Sequence, residues 1–88
     1  MSIQVAIVMG SASDWDVMSH ASKLLDKFGI EHESKVLSAH RTPKQLEEFI
    51  VEAEKNGTQV FIAGAGLAAA LPGVVAAQTT IPVIGVPL

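Results

Sequence analysis

In this 88-residue chain two short polar stretches and one of small residues could do chemistry. The first is Gly10-Ser11-Ala12-Ser13-Asp14. A small-residue turn feeding a helix exposes backbone N–H groups at the positive end of the helix dipole. Ser11 and Ser13 add hydroxyl donors, and the combination suits a phosphate. Asp14 would repel a phosphate and suits the hydroxyls of a sugar instead. The competing reading is that Ser13 and Asp14 only cap the helix. The stretch matches neither the P-loop nor the dinucleotide fingerprint, so a nucleoside triphosphate or a dinucleotide is not indicated.

The second stretch is Ser38-Ala39-His40-Arg41. Arg41 offers a planar donor fork for phosphate. His40 is the best general acid–base candidate, because imidazole exchanges protons near neutral pH; taken without the neighbouring stretches it reads sooner as an exposed loop histidine. The third, Ala63-Gly64-Ala65-Gly66, lets a backbone approach a ligand closely, or lets a helix pack tightly on a strand. His20 and His32 are weaker candidates, one inside a helix and one at the start of a strand. Three scattered histidines without a paired carboxylate do not make a metal site. No nucleophile elbow or well-placed Ser-His-Asp set is present. Trp15, just after the first stretch, could line the pocket or be core, and core is the favoured reading.

Positioning these stretches requires elements that the hydropathy pattern supplies. Residues 3–9 are a continuous apolar, β-branched run, as in a strand buried on both faces of a parallel sheet. After Gly10 the period changes, and Val17, Met18, Ala21, Leu24, Leu25 and Phe28 form one helical stripe. Asp14 or Ser13 can cap its start, and Gly29 stands where a left-handed terminator belongs. Residues 30–37 read as a second, more polar strand nearer a sheet edge. Thr42-Pro43-Lys44-Gln45 is a helix start, with Thr42 as N-cap, Pro43 at the first helical position and Gln45 closing a capping box. Leu46, Phe49, Ile50 and Ala53 form its buried stripe, and Asn56-Gly57 ends it. Residues 58–63 read as a third strand, 64–66 as a loop, 67–77 as a short helix of small residues and 81–86 as a fourth strand.

This β-α-β-α-β-α-β order predicts a single three-layer α/β domain over residues 1–88. Its parallel sheet of about four strands has helices on both faces in a flavodoxin-like or Rossmann-like arrangement. In such sheets ligands bind beyond the carboxyl ends of the strands, where all three stretches fall. The alternation stops after the fourth strand, where a doubly wound domain continues, so the reading is of a domain whose C-terminal part is absent.

Bulk properties narrow the class. The formal charge of −3 argues against nucleic acid or an anionic membrane as partner. There is no Cys, which excludes a disulfide scaffold and thiolate metal sites and fits a reducing, cytoplasmic setting. The N-terminus lacks a signal-peptide pattern. The apolar run over residues 60–77 is too rich in Ala and Gly, and carries Pro72, to read as a membrane helix. A mean hydropathy of +0.39 is high for so short a chain and points to a partner subunit, as in a homo-oligomer.

Several of these stretches carry a family resemblance. Val8-Met9-Gly10-Ser11-Ala12-Ser13-Asp14-Trp15, the string Ser38-Ala39-His40-Arg41-Thr42-Pro43, then Ala63-Gly64-Ala65-Gly66, Leu71-Pro72-Gly73 and residues 82–87 resemble, in order and spacing, the N5-carboxyaminoimidazole ribonucleotide mutase family of purine biosynthesis, the catalytic subunit of phosphoribosylaminoimidazole carboxylase. The resemblance implies an isomerase that moves a carboxylate from N5 of a ribonucleotide to the adjacent ring carbon, with CO2 as a transient intermediate. It implies His40 as the catalytic acid–base, and Ser11, Ser13, Asp14, Ser38, Arg41, Gly64, Ala65 and Gly66 as substrate-binding. It implies no metal, ATP or organic cofactor, and an octamer. Two alternatives stand beside it: a non-catalytic ribonucleotide-binding fragment, and a carboxylase using CO2 directly on aminoimidazole ribonucleotide. Two departures stand out. Ala70 occupies a position where the family has a histidine, and Leu67 one where a glycine is usual. Family members also run about twice as long, with a further strand and C-terminal helices.

Overall fold

The computed structural model describes residues 3–66 and 70–88. The elements are β1 (Val5–Met9), a 3-10 turn (Ala12–Asp14), α1 (Trp15–Lys27), β2 (His32–Val36), α2 (Pro43–Lys55), β3 (Val60–Ala65), α3 (Ala70–Ala76) and β4 (Val83–Pro87). All strand pairs are parallel, in the order β2-β1-β3-β4. The predicted α/β class and four-stranded parallel sheet are what the chain adopts.

β1 lies between two strands, and every one of its residues is buried, which is why it reads as unbroken apolar sequence. Alternation divides it between two cores. Ala6 and Val8 pack with Phe61 and Ala63 of β3 against Leu46, Ile50 and Ala53 of α2 and Leu71 and Val75 of α3. Val5, Ile7 and Met9 face the opposite way, onto Met18 of α1. Two helices therefore cover one face and a single helix the other.

That imbalance corrects two expectations. Of the predicted α1 stripe, Met18 is buried and Ala21 and Leu25 pack against the core, whereas Val17, Leu24 and Phe28 are exposed, Phe28 by 65%. A lone helix on a flat sheet touches it along a narrow seam, and the flanks of a wide apolar stripe have nothing beneath them. Trp15, read as core, is 40% exposed beside the edge strand β2. The third strand also begins and ends later than predicted. Small residues at 64–66 suggested a loop, yet Gly64 and Ala65 pair with Val86 and Pro87, and the Leu88 amide donates to the Ala65 carbonyl at 3.0 Å. Pairing with a neighbour decides strand length where propensity is weak.

The punctuation holds. Gly29 and Gly57, both just past helix ends, sit at φ 70° and 87°, where a side chain would be strained. Pro43 opens α2. The expected third helix is described from Ala70 onward, and its predicted start at Leu67, the family-glycine position, lies outside the described residues.

Candidate functional site

The parallel order brings the carboxyl ends of β1 and β3 side by side, with the β2–α2 loop next to them. Between them lies a cleft of about 390 Å³ lined by Gly10, Ser11, Asp14, Ser38, Ala39, His40, Ala65, Gly66, Ala70 and Leu71. Its size suits a small organic ligand. A larger hollow of about 560 Å³ runs between β2 and α2, but its walls include Glu33, Glu48 and Glu52 and it lies on the flank of the sheet, away from the edge where such folds bind ligands.

The first loop resolves the capping alternative. Ser11 is the N-cap of the 3-10 turn, and its hydroxyl accepts from the Ser13 amide at 3.3 Å and lies 2.9 Å from the Ser13 hydroxyl. Asp14 occupies the N-cap of α1 yet makes no side-chain capping bond. Its carboxylate therefore remains an acceptor at the cleft wall, suited to ligand hydroxyls rather than to an anion.

The second loop is organised by Ser38. Its Oγ accepts from the amides of His40 at 3.2 Å and Arg41 at 3.0 Å. Thr42 reaches back: its Oγ1 accepts from the Ser38 amide at 2.8 Å and donates to the Ser38 carbonyl at 3.2 Å. The capping role expected of Thr42 is accordingly not performed, since α2 has no side-chain bond at its N-cap. His40 is exposed at the cleft wall, and Arg41 follows it, also exposed.

The third loop splits. Ala65 and Gly66 line the cleft. Gly64 lies in β3, and a Cβ there would stand 2.5 Å from Met18 Sδ, so close packing on α1 governs that position. Ser13, Arg41 and Gly64 thus border the cleft without lining it, while Ser11, Asp14, Ser38, His40, Ala65 and Gly66 come together in it. The apolar wall of Ala39, Ala70 and Leu71 was not legible as a binding surface, because small apolar residues carry no chemical signature; only the family resemblance marked position 70.

Of the other histidines, His20 is exposed on α1 and His32 is bonded at both ring nitrogens. His32 Nε2 lies 2.8 Å from Ser22 Oγ and its Nδ1 2.9 Å from the Ile30 carbonyl. The carbonyl can only accept, so Nδ1 carries the proton and Nε2 accepts from Ser22 in the neutral ring. Among the described residues, no group of three or more His, Asp or Glu side chains could hold a metal ion. Among them, no helix is long and apolar enough to cross a membrane.

Comparison with known proteins gives a consistent result. The family model described as AIR carboxylase matches residues 4–88. The N5-carboxyaminoimidazole ribonucleotide mutase of Vibrio cholerae is 56% identical over 84 residues, 96% of this chain and 52% of that protein. The protein of the same name from Saccharolobus solfataricus is 54% identical over 85 residues, 97% of this chain and 54% of that protein. The crystal structure of Treponema denticola PurE superposes with a TM-score of 0.91 at 31% identity, covering 97% of this chain and 54% of that one. The chain thus spans about half the length of the curated relatives it matches.

Proposed function

The chain belongs to the AIR carboxylase family, and from that premise we propose that its cleft is the site, or the part carried by this chain of the site, of an N5-carboxyaminoimidazole ribonucleotide mutase. The observation that carries the reading is the convergence of Ser11, Asp14, Ser38 and His40 on one cleft at the carboxyl edge of the sheet. Ser11, Ser13 and Arg41 take the 5′-phosphate, and Asp14 takes the ribose hydroxyls. Ala65 and Gly66 let the ring approach the backbone.

The reaction is an isomerisation, and the proton balance needs one group. Protonated His40 donates to N5 as the N–CO2 bond breaks, with the bonding pair staying on nitrogen and CO2 released. The ring carbon then attacks CO2, and neutral His40 removes the proton from that carbon. The histidine ends in the form in which it began, as a reaction without net proton change requires. CO2 must stay in the site between the two steps, which gives the apolar wall of Ala39, Ala70 and Leu71 a function. The setting is cytoplasmic, and the exposed Val17, Leu24, Phe28 and Ile84 support association into a homo-oligomer.

Calorimetry tests the binding half of this reading. Aminoimidazole ribonucleotide is expected to bind, and its 5′-dephosphorylated nucleoside to bind at least about tenfold more weakly through loss of the phosphate contacts. Equal affinity for the two would remove the phosphate assignment, and no binding of either would remove the site.

A further inference from the structure

The Thr42 hydroxyl stands at the start of α2, where its type is suited to capping the helix, yet it both accepts from and donates to Ser38. Oγ1 accepts the Ser38 N–H at 2.8 Å and donates to the Ser38 carbonyl at 3.2 Å, while the Thr42 amide donates to the same carbonyl at 3.0 Å. Three bonds thus tie residue 42 to residue 38 across the turn that holds His40 and Arg41. The turn is fastened again from within, since Ser38 Oγ accepts from the amides of His40 and Arg41.

Counting protons shows what this leaves for a ligand. A serine hydroxyl has two lone pairs and one hydrogen. Both lone pairs of Ser38 Oγ face amide donors, so only its O–H remains, on a residue that lines the cleft. Such a group can serve a phosphate or carboxylate oxygen and cannot accept from a sugar hydroxyl. Asp14, which can only accept when ionised, is its complement across the cleft. We propose that Thr42 is a positioning residue: by clamping Ser38 at both its amide and its carbonyl, it fixes the His40–Arg41 turn and makes Ser38 an obligate hydrogen-bond donor to an anionic oxygen of the ligand. The helix goes without its side-chain cap, which is the sense in which the site takes precedence over local stability. The ligand part of this inference rests on the function proposed above; the clamp itself does not.

The test compares Thr42→Val, which keeps the branched shape and removes the hydroxyl, with Thr42→Ser, which restores it. In the ligand-free protein, NMR backbone order parameters at Ser38, His40 and Arg41 are expected near the rigid value of about 0.85 in the wild type and in Thr42→Ser, and below about 0.6 in Thr42→Val. The strand residues should stay unchanged in all three. With aminoimidazole ribonucleotide, Thr42→Val is expected to raise Kd about tenfold and Thr42→Ser to stay within about twofold of wild type. Rigid loop residues in Thr42→Val would overturn the clamp whatever the ligand does. A loosened loop with unchanged Kd would overturn the donor role of Ser38. A wild type that binds no ribonucleotide would refute the proposed function and the ligand part of this inference, leaving the order parameters to decide the clamp.

Discussion

Replacing Gly64 by alanine should destabilise the protein even though glycine is a poor strand residue. A Cβ at Gly64 would lie 2.5 Å from Met18 Sδ, 2.9 Å from its Cε and 3.2 Å from Leu88 Cδ1. Met18 is 2% exposed, so its terminal atoms have little room to withdraw. Forcing one methyl into such a core costs about 1–3 kcal/mol. Removing glycine from a strand returns about 0.5–1 kcal/mol. The balance is a loss of about 1 kcal/mol, which for a domain of this size lowers Tm by about 4–8 °C. Thermal unfolding followed by circular dichroism reads this directly. Gly66→Ala is the control, because among the described residues its Cβ would meet only the Leu88 carbonyl oxygen at 3.5 Å, and its stability should change by less than about 0.5 kcal/mol. Met18→Ala empties the space that the new methyl needs. The double variant should therefore be more stable than the sum of the single effects by about 1 kcal/mol. A neutral or stabilising Gly64→Ala, or strict additivity with Met18→Ala, would refute the packing argument.

Three other expectations follow from particular contacts. Phe61 is fully buried between β1 and the two helices on its face. Phe61→Ala should cost about 3–5 kcal/mol, a large share of the few kcal/mol that hold a domain this small, and urea unfolding should show it at room temperature. Thr58 is 5% exposed and donates to the Ile3 carbonyl at 2.9 Å; Thr58→Val leaves that carbonyl without this donor and should lower the urea midpoint by the equivalent of about 1–3 kcal/mol. Ser38→Ala removes the acceptor for two exposed amides, so it should change Tm by little while weakening ribonucleotide affinity about tenfold in calorimetry.

The sequence made the order of elements legible because the signals that encode it are local. The β-branched run of residues 3–9, the Pro43 helix start and the glycines at 29 and 57 each specify backbone geometry without reference to the rest of the chain. What stayed hidden was set by neighbours. Helical periodicity placed Val17, Leu24 and Phe28 on the same stripe as Met18 but held no information on how many helices share that face of the sheet. The end of β3 depends on its ladder with β4. The three candidate stretches were visible as chemistry, and the sheet's topology brought them to one edge. The role of Thr42 was not visible, since a threonine before proline and a helix reads as a cap, and only the geometry shows its hydroxyl turned back to Ser38.

The central claim is that His40 moves the proton while the carboxylate migrates within one closed cycle. Conversion of N5-carboxyaminoimidazole ribonucleotide to the 4-carboxy isomer, run in the presence of 13C-bicarbonate, tests it most directly. The product's carboxylate is expected to carry little of the label, and His40→Ala to lose at least about a hundredfold in turnover. Full incorporation of label would indicate a carboxylase using free CO2, and turnover that survives in His40→Ala, or ribonucleotide binding with no turnover in the wild type, would contradict the claim.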